Sequence, residues 1–325
     1  MNVLKVLAIA TAALAGMTTA SLAQSTTLRL AHIFPAGDVY GVAARKLADE
    51  IGAKTAGAIN VQVFPAGTLG QEREMLEGLR LGSLNMLVSA GSVLINASKT
   101  ATIFDIHFML NDFEHFGRVF DGPIGQEIAQ QVEAESGYRI LAYWLRGPRW
   151  VTSKKIVNTP KDLAGLKIRV PDSAVYVEAW RALGAAPTPM NFGEVYSALQ
   201  QGVVDAQENP LALIHSAKFA SVAPYLVRTE HHLTPILVTV DARQFDQLPA
   251  SQRKAIQDAA NGAVKTFVDQ EVRKQEVDLI ARLQKDGMKL VEVDKKPFQE
   301  VVAPLVGKRY PEIEPLYTKI VGAGH

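Results

Sequence analysis

The sequence predicts an α/β protein of two domains, each built on a mixed, mostly parallel sheet flanked by helices. Three observations indicate this fold. Short β-rich runs alternate with helical runs, which is the pattern of parallel strands joined by crossover helices. Turns near residues 147–149 and 233–235 divide the chain into regions that each show this pattern. The chain of 325 residues is also longer than one ordinary core requires.

The first region contains loop residues that are expected to line a cleft. The loops that leave two of its strands contain Ile33, Phe34 and Ala90, and ligand crevices lie beyond the carboxyl ends of parallel strands. We therefore expect these three residues at a cleft. The expected strands cover residues 27–30, 59–64, 85–89 and 139–144. The expected helices cover residues 40–51, 71–81 and 114–135, the last with a break at Gly122 and Pro123.

The second region continues the alternation between the two turns. Asn209 precedes Pro210, which favours an extended backbone and lets the asparagine side chain point into a cleft. The expected strands are residues 167–170, 203–206 and 236–240, the last lying beyond the second turn, and the expected helices are residues 175–183 and 194–201.

The two turns set the predicted domain boundaries. Domain I takes residues 24–147 and 235–272, and domain II takes residues 148–234 and 273–325. Two crossings between domains imply a hinge. A helical stretch follows at residues 251–285, with Ser251 able to cap its start and Gly287 its end. At about 1.5 Å per residue it would be roughly 50 Å long, enough to lie across both domains.

The N-terminus has the features of a secretory signal peptide, residues 1–23. Lys5 precedes a short apolar run, and the small residues Ser21 and Ala23 flank Leu22 before the expected mature start at Gln24. The alternative is a short membrane anchor, but the apolar run is too short for a permanent span. A lipoprotein anchor is excluded because the chain contains no cysteine.

Composition excludes several classes of function. The signal peptide contains one lysine and no acid, so its removal leaves equal numbers of basic and acidic residues. This balance does not favour nucleic acid as a partner. The sequence lacks the G-x-S-x-G, phosphate-loop and H-E-x-x-H motifs, and its seven histidines lack metal-ligand spacing. We therefore expect no enzyme activity, no cofactor and no metal.

Arg169 and Arg149 are the candidate ligand anchors, because a guanidinium matches a carboxylate with two parallel hydrogen bonds. Arg169 lies in a short apolar strand, so it needs a buried partner or a cleft. The alternative is a structural ion pair with a carboxylate of the same region, and the residues alone leave both open. The candidate partners for that ion pair are Asp162, Asp172 and Glu194.

Three further residues carry two interpretations each. Phe192 can form an apolar wall of the cleft or belong to the core. Asp172 can accept a ligand hydroxyl or cap the next helix. His231 can reach the cleft or pack at the hinge, and its side chain should diverge from that of His232.

Four motifs in order resemble the substrate-binding proteins of tripartite ATP-independent periplasmic (TRAP) transporters, the DctP type. The resemblance extends upstream to F-P-A-G-T-L-G (residues 64–70) and covers almost the whole mature chain. The motifs are D-L-A-G-L-K-I-R-V-P (residues 162–171), P-T-P-M (187–190), E-V-Y-S-A-L-Q-Q-G (194–202) and D-A-Q-E-N-P (205–210).

The resemblance implies the two-domain fold of a periplasmic binding protein, with a hinge and a long helix spanning both domains. It implies that Arg169 clamps a ligand carboxylate, that Arg149 supports the same end, and that Asn209 hydrogen-bonds the ligand. The chain departs from many members, which carry a proline where it has residues 106–108. His107 in that segment can contact the ligand or only pack.

The resulting expectation is a monomeric periplasmic receptor that delivers a small organic acid to a TRAP permease and performs no chemistry on it. Asp172 and Asn209 offer partners for hydroxyl groups, so the first choice is a sugar acid such as a uronate or aldonate. A dicarboxylate, a 2-oxo acid or an aromatic acid remains open. A ligand sensor and a secreted sugar-acid enzyme are the rival classes.

Overall fold

A computed structural model describes residues 25–324 of the chain. The predicted signal peptide and the mature start at Gln24 lie outside the described residues. The predicted fold class is confirmed, since the described chain forms an α/β structure with two mixed sheets and a long helix. None of the described helices is long and apolar enough to cross a membrane.

The described residues form eleven strands and thirteen α-helices. The strands are β1 (Thr26–His32), β2 (Ile59–Phe64), β3 (Met86–Ala90), β4 (Tyr138–Trp144), β5 (Arg149–Ser153), β6 (Lys167–Val170), β7 (Ala186–Pro189), β8 (Ala206–Pro210), β9 (Tyr225–His232), β10 (Ile236–Asp241) and β11 (Lys289–Glu292). The helices are α1 (Val39–Lys54), α2 (Glu72–Leu81), α3 (Phe113–Phe120), α4 (Pro123–Ser136), α5 (Ala174–Ala182), α6 (Val195–Gln201), α7 (Leu211–Ser216), α8 (Ala242–Asp246), α9 (Ala250–Asn261), α10 (Ala263–Lys285), α11 (Lys296–Val302), α12 (Leu305–Arg309) and α13 (Glu314–Gly322).

The strands form two sheets. The chain crosses from the first sheet to the second after β4 and returns to the first sheet at β10. The first sheet has the order β2-β1-β3-β10-β4, and the second has the order β11-β9-β5-β8-β6-β7. Strand β10 is antiparallel to β3 and β4, and β5 is antiparallel to β8 and β9. These are the two strands that follow the crossings. Each of these strands begins at the end of the sheet where the parallel strands finish. It therefore runs antiparallel to them.

Helix α1 shows how the apolar pattern builds the first core. Its buried positions recur every three or four residues, which places them on one face of the helix. Asp38 caps the helix, accepting a hydrogen bond from the Tyr40 backbone N–H at 3.0 Å. Burying one leucine such as Leu47 stabilises the fold by about 1.5–3 kcal/mol.

The predicted single helix of residues 251–285 is interrupted. Helix α9 ends at Asn261, and Gly262 has a non-helical backbone (φ −91°, ψ −122°) before α10 begins. A side chain at Gly262 would come within 2.6 Å of the Asp258 carbonyl oxygen, so glycine permits this close turn. Helix α10 has 23 residues and is about 34 Å long. Ser251 is not the cap, because α9 follows Pro249, whereas Gly287 follows the end of α10 in the left-handed conformation (φ +99°).

The strand predicted at residues 203–206 is observed three residues later, as β8. The backbone N–H groups of Val203 and Val204 bond the Ala198 carbonyl, so they still terminate helix α6. The strand therefore contains Glu208 and Asn209, which places both in the sheet.

The C-terminal helix α13 packs beside the first sheet, although the expected division assigns residues 273–325 to domain II. His115 Nε2 lies 2.7 Å from the Ile320 carbonyl oxygen, and Arg118 Nε donates to the Ala323 carbonyl at 2.7 Å. Leu316 and Ile320 are buried in the same core as the first sheet. Their apolar face is what holds the helix there. The rest of the division into domains stays a prediction.

Candidate functional site

A cavity with about 430 Å³ of empty space, part of it open to solvent, lies between the two sheets, at the carboxyl ends of their strands. Ile33, Phe34 and Ala90 line it from the first sheet, as expected. The other lining residues are Glu72, Ser92, Arg146, Arg149, Arg169, Pro171, Tyr176, Phe192, Asn209 and Leu213.

Arg169 projects from β6 into this cavity and is 4% exposed. Its Nε and Nη2 atoms donate to the Met190 carbonyl oxygen at 2.9 and 2.6 Å. Burial lowers the pKa of Arg169 to about 10, with the Glu208 charge opposing the shift, so the group remains charged at neutral pH. Met190 therefore fixes the guanidinium plane without neutralising its charge.

The structural ion pair considered for Arg169 is absent from residues 25–324, where no carboxylate oxygen lies within 4.0 Å of its nitrogens. Asp162 instead accepts from the Thr159 backbone N–H at 2.8 Å. Asp172 pairs with Arg73 at 2.7 Å. Arg169 therefore presents a fixed positive charge to the cavity.

Arg149 lines the same cavity but already has a counter-ion. Its Nη2 lies 2.7 Å from Glu208 Oε1, and its Nε bonds Glu208 Oε2. Burial opposes both charges, but their mutual attraction raises the pKa of Arg149 and holds the pKa of Glu208 at about 2. Arg149 and Glu208 thus form a buried pair whose charges cancel.

His231 lies behind this pair and does not line the cavity, so the expectation that it reaches the cleft is wrong. Its Nε2 is 3.0 Å from Glu208 Oε2, and its Nδ1 is 2.8 Å from Thr229 Oγ1. His232 diverges as predicted, with Nδ1 2.7 Å from the Tyr176 hydroxyl. His231 therefore supports Glu208, the partner of Arg149, and His232 supports Tyr176 in the wall of the cavity.

Asn209 is buried in β8 and lines the cavity. Its Nδ2 donates to Gln207 Oε1 at 2.6 Å, and Gln207 in turn donates to Thr152 Oγ1 at 2.8 Å. This chain of hydrogen bonds fixes the orientation of the Asn209 amide.

Phe192 and Asp172 lie towards the mouth of the cleft. Phe192 lines the cavity and also contacts Phe219 edge-on, with ring centroids 6.2 Å apart, so it serves both the wall and the core. Asp172 does not cap the next helix, because Ser173 occupies the N-cap position of α5. Its pair with Arg73 instead joins the two sides of the cleft across the mouth.

His107 packs inside the protein and does not line the cavity. Its ring stacks on His231 and His232 with centroids 5.2 Å away in both cases. Burial lowers its pKa to about 3, with the nearby His231 acting in the same direction, so the ring is neutral at physiological pH. Among residues 25–324, no group of three or more His, Asp and Glu side chains is placed to hold a metal ion.

Sequence reasoning missed four polar residues that line the cavity, Glu72, Ser92, Arg146 and Tyr176. It also missed Glu208, the buried partner of Arg149. Arg146 belongs to the same turn as Arg149, and Glu208 precedes Asn209 in the quoted motif, so both had a local signal. Glu72 had none, because a glutamate in the first turn of a helix is common. With Glu208 balancing Arg149, the cavity keeps Arg146 and Arg169 against the single carboxylate of Glu72.

A cleft between two α/β units, with guanidinium groups that lack counter-ions, defines a binding protein for an anionic solute. The family of bacterial extracellular solute-binding proteins, family 7 (DctP), matches residues 30–312. The chain belongs to this family.

Two relatives illustrate the range of the family. A solute-binding protein of Roseobacter denitrificans is 36% identical over 97% of this chain and 98% of its own length. The 2,3-diketo-L-gulonate-binding periplasmic protein YiaO of Escherichia coli is 32% identical over 90% of this chain and 88% of its own length.

Solved structures show the same fold. A TRAP periplasmic solute-binding protein of Roseobacter denitrificans with bound L-galactonate superposes with a TM-score of 0.87 at 35% identity, covering 91% of this chain and 99% of that one. A protein from Polaromonas bound to D-erythronate gives 0.85 at 34% identity, covering 91% and 98%. A protein from Sulfurospirillum deleyianum with bound succinate gives 0.85 at 28% identity, with the same coverage.

Proposed function

We propose that this chain is a TRAP transporter receptor that captures a sugar acid in the cleft and delivers it to a membrane permease. The observation that carries the proposal is the buried guanidinium of Arg169, which faces the cavity without a carboxylate partner. A buried charge without a counter-ion is unfavourable, and a ligand carboxylate would remove that cost. The guanidinium fork offers two parallel hydrogen bonds for it.

The hydroxylated class of acid is supported by the remaining polar groups of the cavity. Asn209 and Glu72 offer an amide and a carboxylate, which suit hydroxyl groups. Two of the three related structures hold hydroxylated monoacids, L-galactonate and D-erythronate. The succinate-bound relative makes a dicarboxylate the second candidate.

Arg149, Phe192, Ile33, Phe34 and Ala90 complete the proposed ligand site. Arg149 supports the carboxylate end while its own charge is balanced by Glu208. Phe192, with the residues of the first sheet, supplies the apolar wall.

Receptor rather than enzyme is the proposed class, since no pair of groups in the cavity is arranged as a general acid and base acting on a bound sugar acid. We also propose that the chain acts as a monomer in the periplasm, after cleavage of residues 1–23. Incubation with each acid, followed by product analysis, tests for turnover directly.

The test of binding is a thermal-shift screen followed by calorimetry with L-galactonate, D-erythronate, 2,3-diketo-L-gulonate and succinate. A ligand at 100 times its dissociation constant stabilises the folded protein by about 2.7 kcal/mol. Arg169→Ala should weaken binding by about thirty- to several-thousand-fold, because one partner of a buried charge pair is lost.

The matched control is Arg273→Ala, at an exposed arginine paired with Glu114. It should bind like the wild type. A folded Arg169→Ala protein with wild-type affinity would refute the carboxylate clamp.

A further inference from the structure

We propose that Arg146 and Glu72 form a second subsite, which binds hydroxyl groups of the ligand and selects against a second carboxylate. The inference rests on the proposed function, in which Arg169 holds the acidic end. It assigns a role to two polar groups that neither packing nor pairing explains.

Arg146 stands between β4 and the first crossing and is 4% exposed. Its Nε is buried without a hydrogen-bond partner, and no carboxylate among residues 25–324 makes a salt bridge to it. Burial, together with the charge of Arg149, lowers the pKa of Arg146. Buried arginines are normally paired, and a ligand in the cavity can supply the missing acceptor.

Two acids influence Arg146, and they differ in position. Asp38 is the N-cap of α1 and does not line the cavity. Glu72 is the first residue of α2 and lines the cavity with Arg146. Among residues 25–324 its Oε1 atom is buried without a hydrogen-bond partner. Burial raises the pKa of Glu72, opposed by the Arg146 charge and by a backbone hydrogen bond from Ala90. One carboxylate oxygen of Glu72 therefore lacks a donor where the Nε atom of Arg146 lacks an acceptor.

A hydroxyl group can satisfy both residues at once, because it accepts from the guanidinium and donates to the carboxylate. Arg146 and Glu72 do not pair with each other, since their charged atoms are more than 4.0 Å apart. A hydroxylated chain can occupy that gap. A second carboxylate would satisfy Arg146 but would meet the like charge of Glu72. The subsite therefore favours a polyhydroxy monoacid over the corresponding diacid.

Two pairs of acids test this selectivity, because each pair differs only in a terminal CH₂OH or carboxylate. They are L-galactonate with galactarate, and D-erythronate with meso-tartrate. Calorimetry on the wild type should show at least tenfold tighter binding of the monoacid in whichever pair binds. Tighter binding of the diacid would overturn the inference.

Two variants test the residues themselves. Arg146→Met should weaken binding of the monoacid by about 10- to 150-fold, the usual effect of losing hydrogen bonds to a charged group. The melting temperature without ligand should hold or rise, because an unpaired buried charge is removed. A merely structural arginine would give the opposite thermal result. Glu72→Gln should weaken the monoacid and bring the diacid closer to it in affinity.

The outcomes separate the inference from the proposed function. If no acid binds the wild type, or if Arg169→Ala binds normally, the proposed function fails and the inference fails with it. If binding depends on Arg169 but both Arg146→Met and Glu72→Gln keep wild-type affinity and selectivity, only the inference is overturned. Arg273→Met, at the exposed arginine, controls for the arginine-to-methionine change.

Discussion

Replacing Arg149 or Arg169 by methionine removes the same chemical group from two walls of one cavity, and the expected effects on the ligand-free protein are opposite. Arg149→Met leaves Glu208 fully buried with His231 as its remaining side-chain partner. Removing one partner of a buried ion pair costs about 3–5 kcal/mol. At roughly 2–4 °C per kcal/mol for domains of 150–250 residues, the melting temperature should fall by about 10 °C.

Arg169→Met removes a buried charge whose hydrogen bonds within residues 25–324 all go to the Met190 carbonyl oxygen. No carboxylate loses a partner, so the melting temperature of the ligand-free protein should hold or rise. Affinity for the acid should fall by about thirty- to several-thousand-fold. Arg169→Lys should recover part of this loss, because it keeps the charge and loses the fork. The loss of affinity in Arg149→Met should be smaller.

Calorimetry supplies both readouts, as melting curves without ligand and as titrations with the acid found by screening. Arg273→Met is the control, since its exposed pair with Glu114 should contribute at most about 1 kcal/mol. The reasoning is refuted if Arg169→Met destabilises the ligand-free protein as much as Arg149→Met does. It is refuted equally if Arg149→Met melts like the wild type.

The pH dependence gives an independent check on the Arg149–Glu208 pair. The pKa of Glu208 is held at about 2, below its ordinary value of 4.5, with burial opposing the shift and Arg149 causing it. A depressed carboxyl pKa contributes stability that is present above pH 4.5 and lost as the pH falls towards 2. The stability difference between wild type and Arg149→Met should narrow over that interval.

Three further outcomes are expected. Ligand should reduce the radius of gyration in small-angle scattering. Asp172→Lys places a cation opposite Arg73 and should increase the radius of the ligand-free protein. An unchanged radius in both experiments would contradict a hinged closure. Burial and the nearby Glu230 raise the pKa of Glu276 from 4.5 to about 8, so the wild type loses stability as the pH rises from 4.5 to 8. The free energy of unfolding of Glu276→Gln should therefore increase relative to the wild type over this interval, whereas that of the exposed control Asp278→Asn should not. Secreted protein should begin at Gln24 by mass analysis, and an intact Met1 would refute cleavage.

Much of the fold could be predicted because its signals are local. The alternation of strands and helices, the helix break before Pro123 and the glycine after α10 are set by a few neighbouring residues. The interruption at Gly262 was missed because an isolated glycine is often tolerated inside a helix. The interruption requires glycine because a side chain at residue 262 would clash with the Asp258 carbonyl oxygen, and this close approach depends on the folded geometry.

The pairing inside the site could not be predicted, because it depends on the register of two distant strands. In the antiparallel ladder of β5 and β8, Arg149 is opposite Pro210, and Val151 is opposite Glu208. Side chains two residues apart share a face, so Arg149 meets Glu208 diagonally. A shift of one residue would place them on opposite faces. The sequence showed both residues and could not show that they neutralise each other.

The two unpaired guanidinium groups connect binding to closure. Arg169 belongs to the second sheet, Arg146 precedes the crossing, and Glu72 belongs to a helix beside the first sheet. On the proposed function, closure of the cleft would bring the two positive charges into one poorly solvated cavity, where their repulsion is stronger than in water. The carboxylate of a ligand on Arg169 would remove part of that repulsion. The hydroxyl groups of the same ligand would reach Arg146 and Glu72, which both lie on the other side of the cleft, only when the two sides meet. On the proposed function, the ligand therefore shifts the equilibrium towards the closed form through its differential affinity for that form.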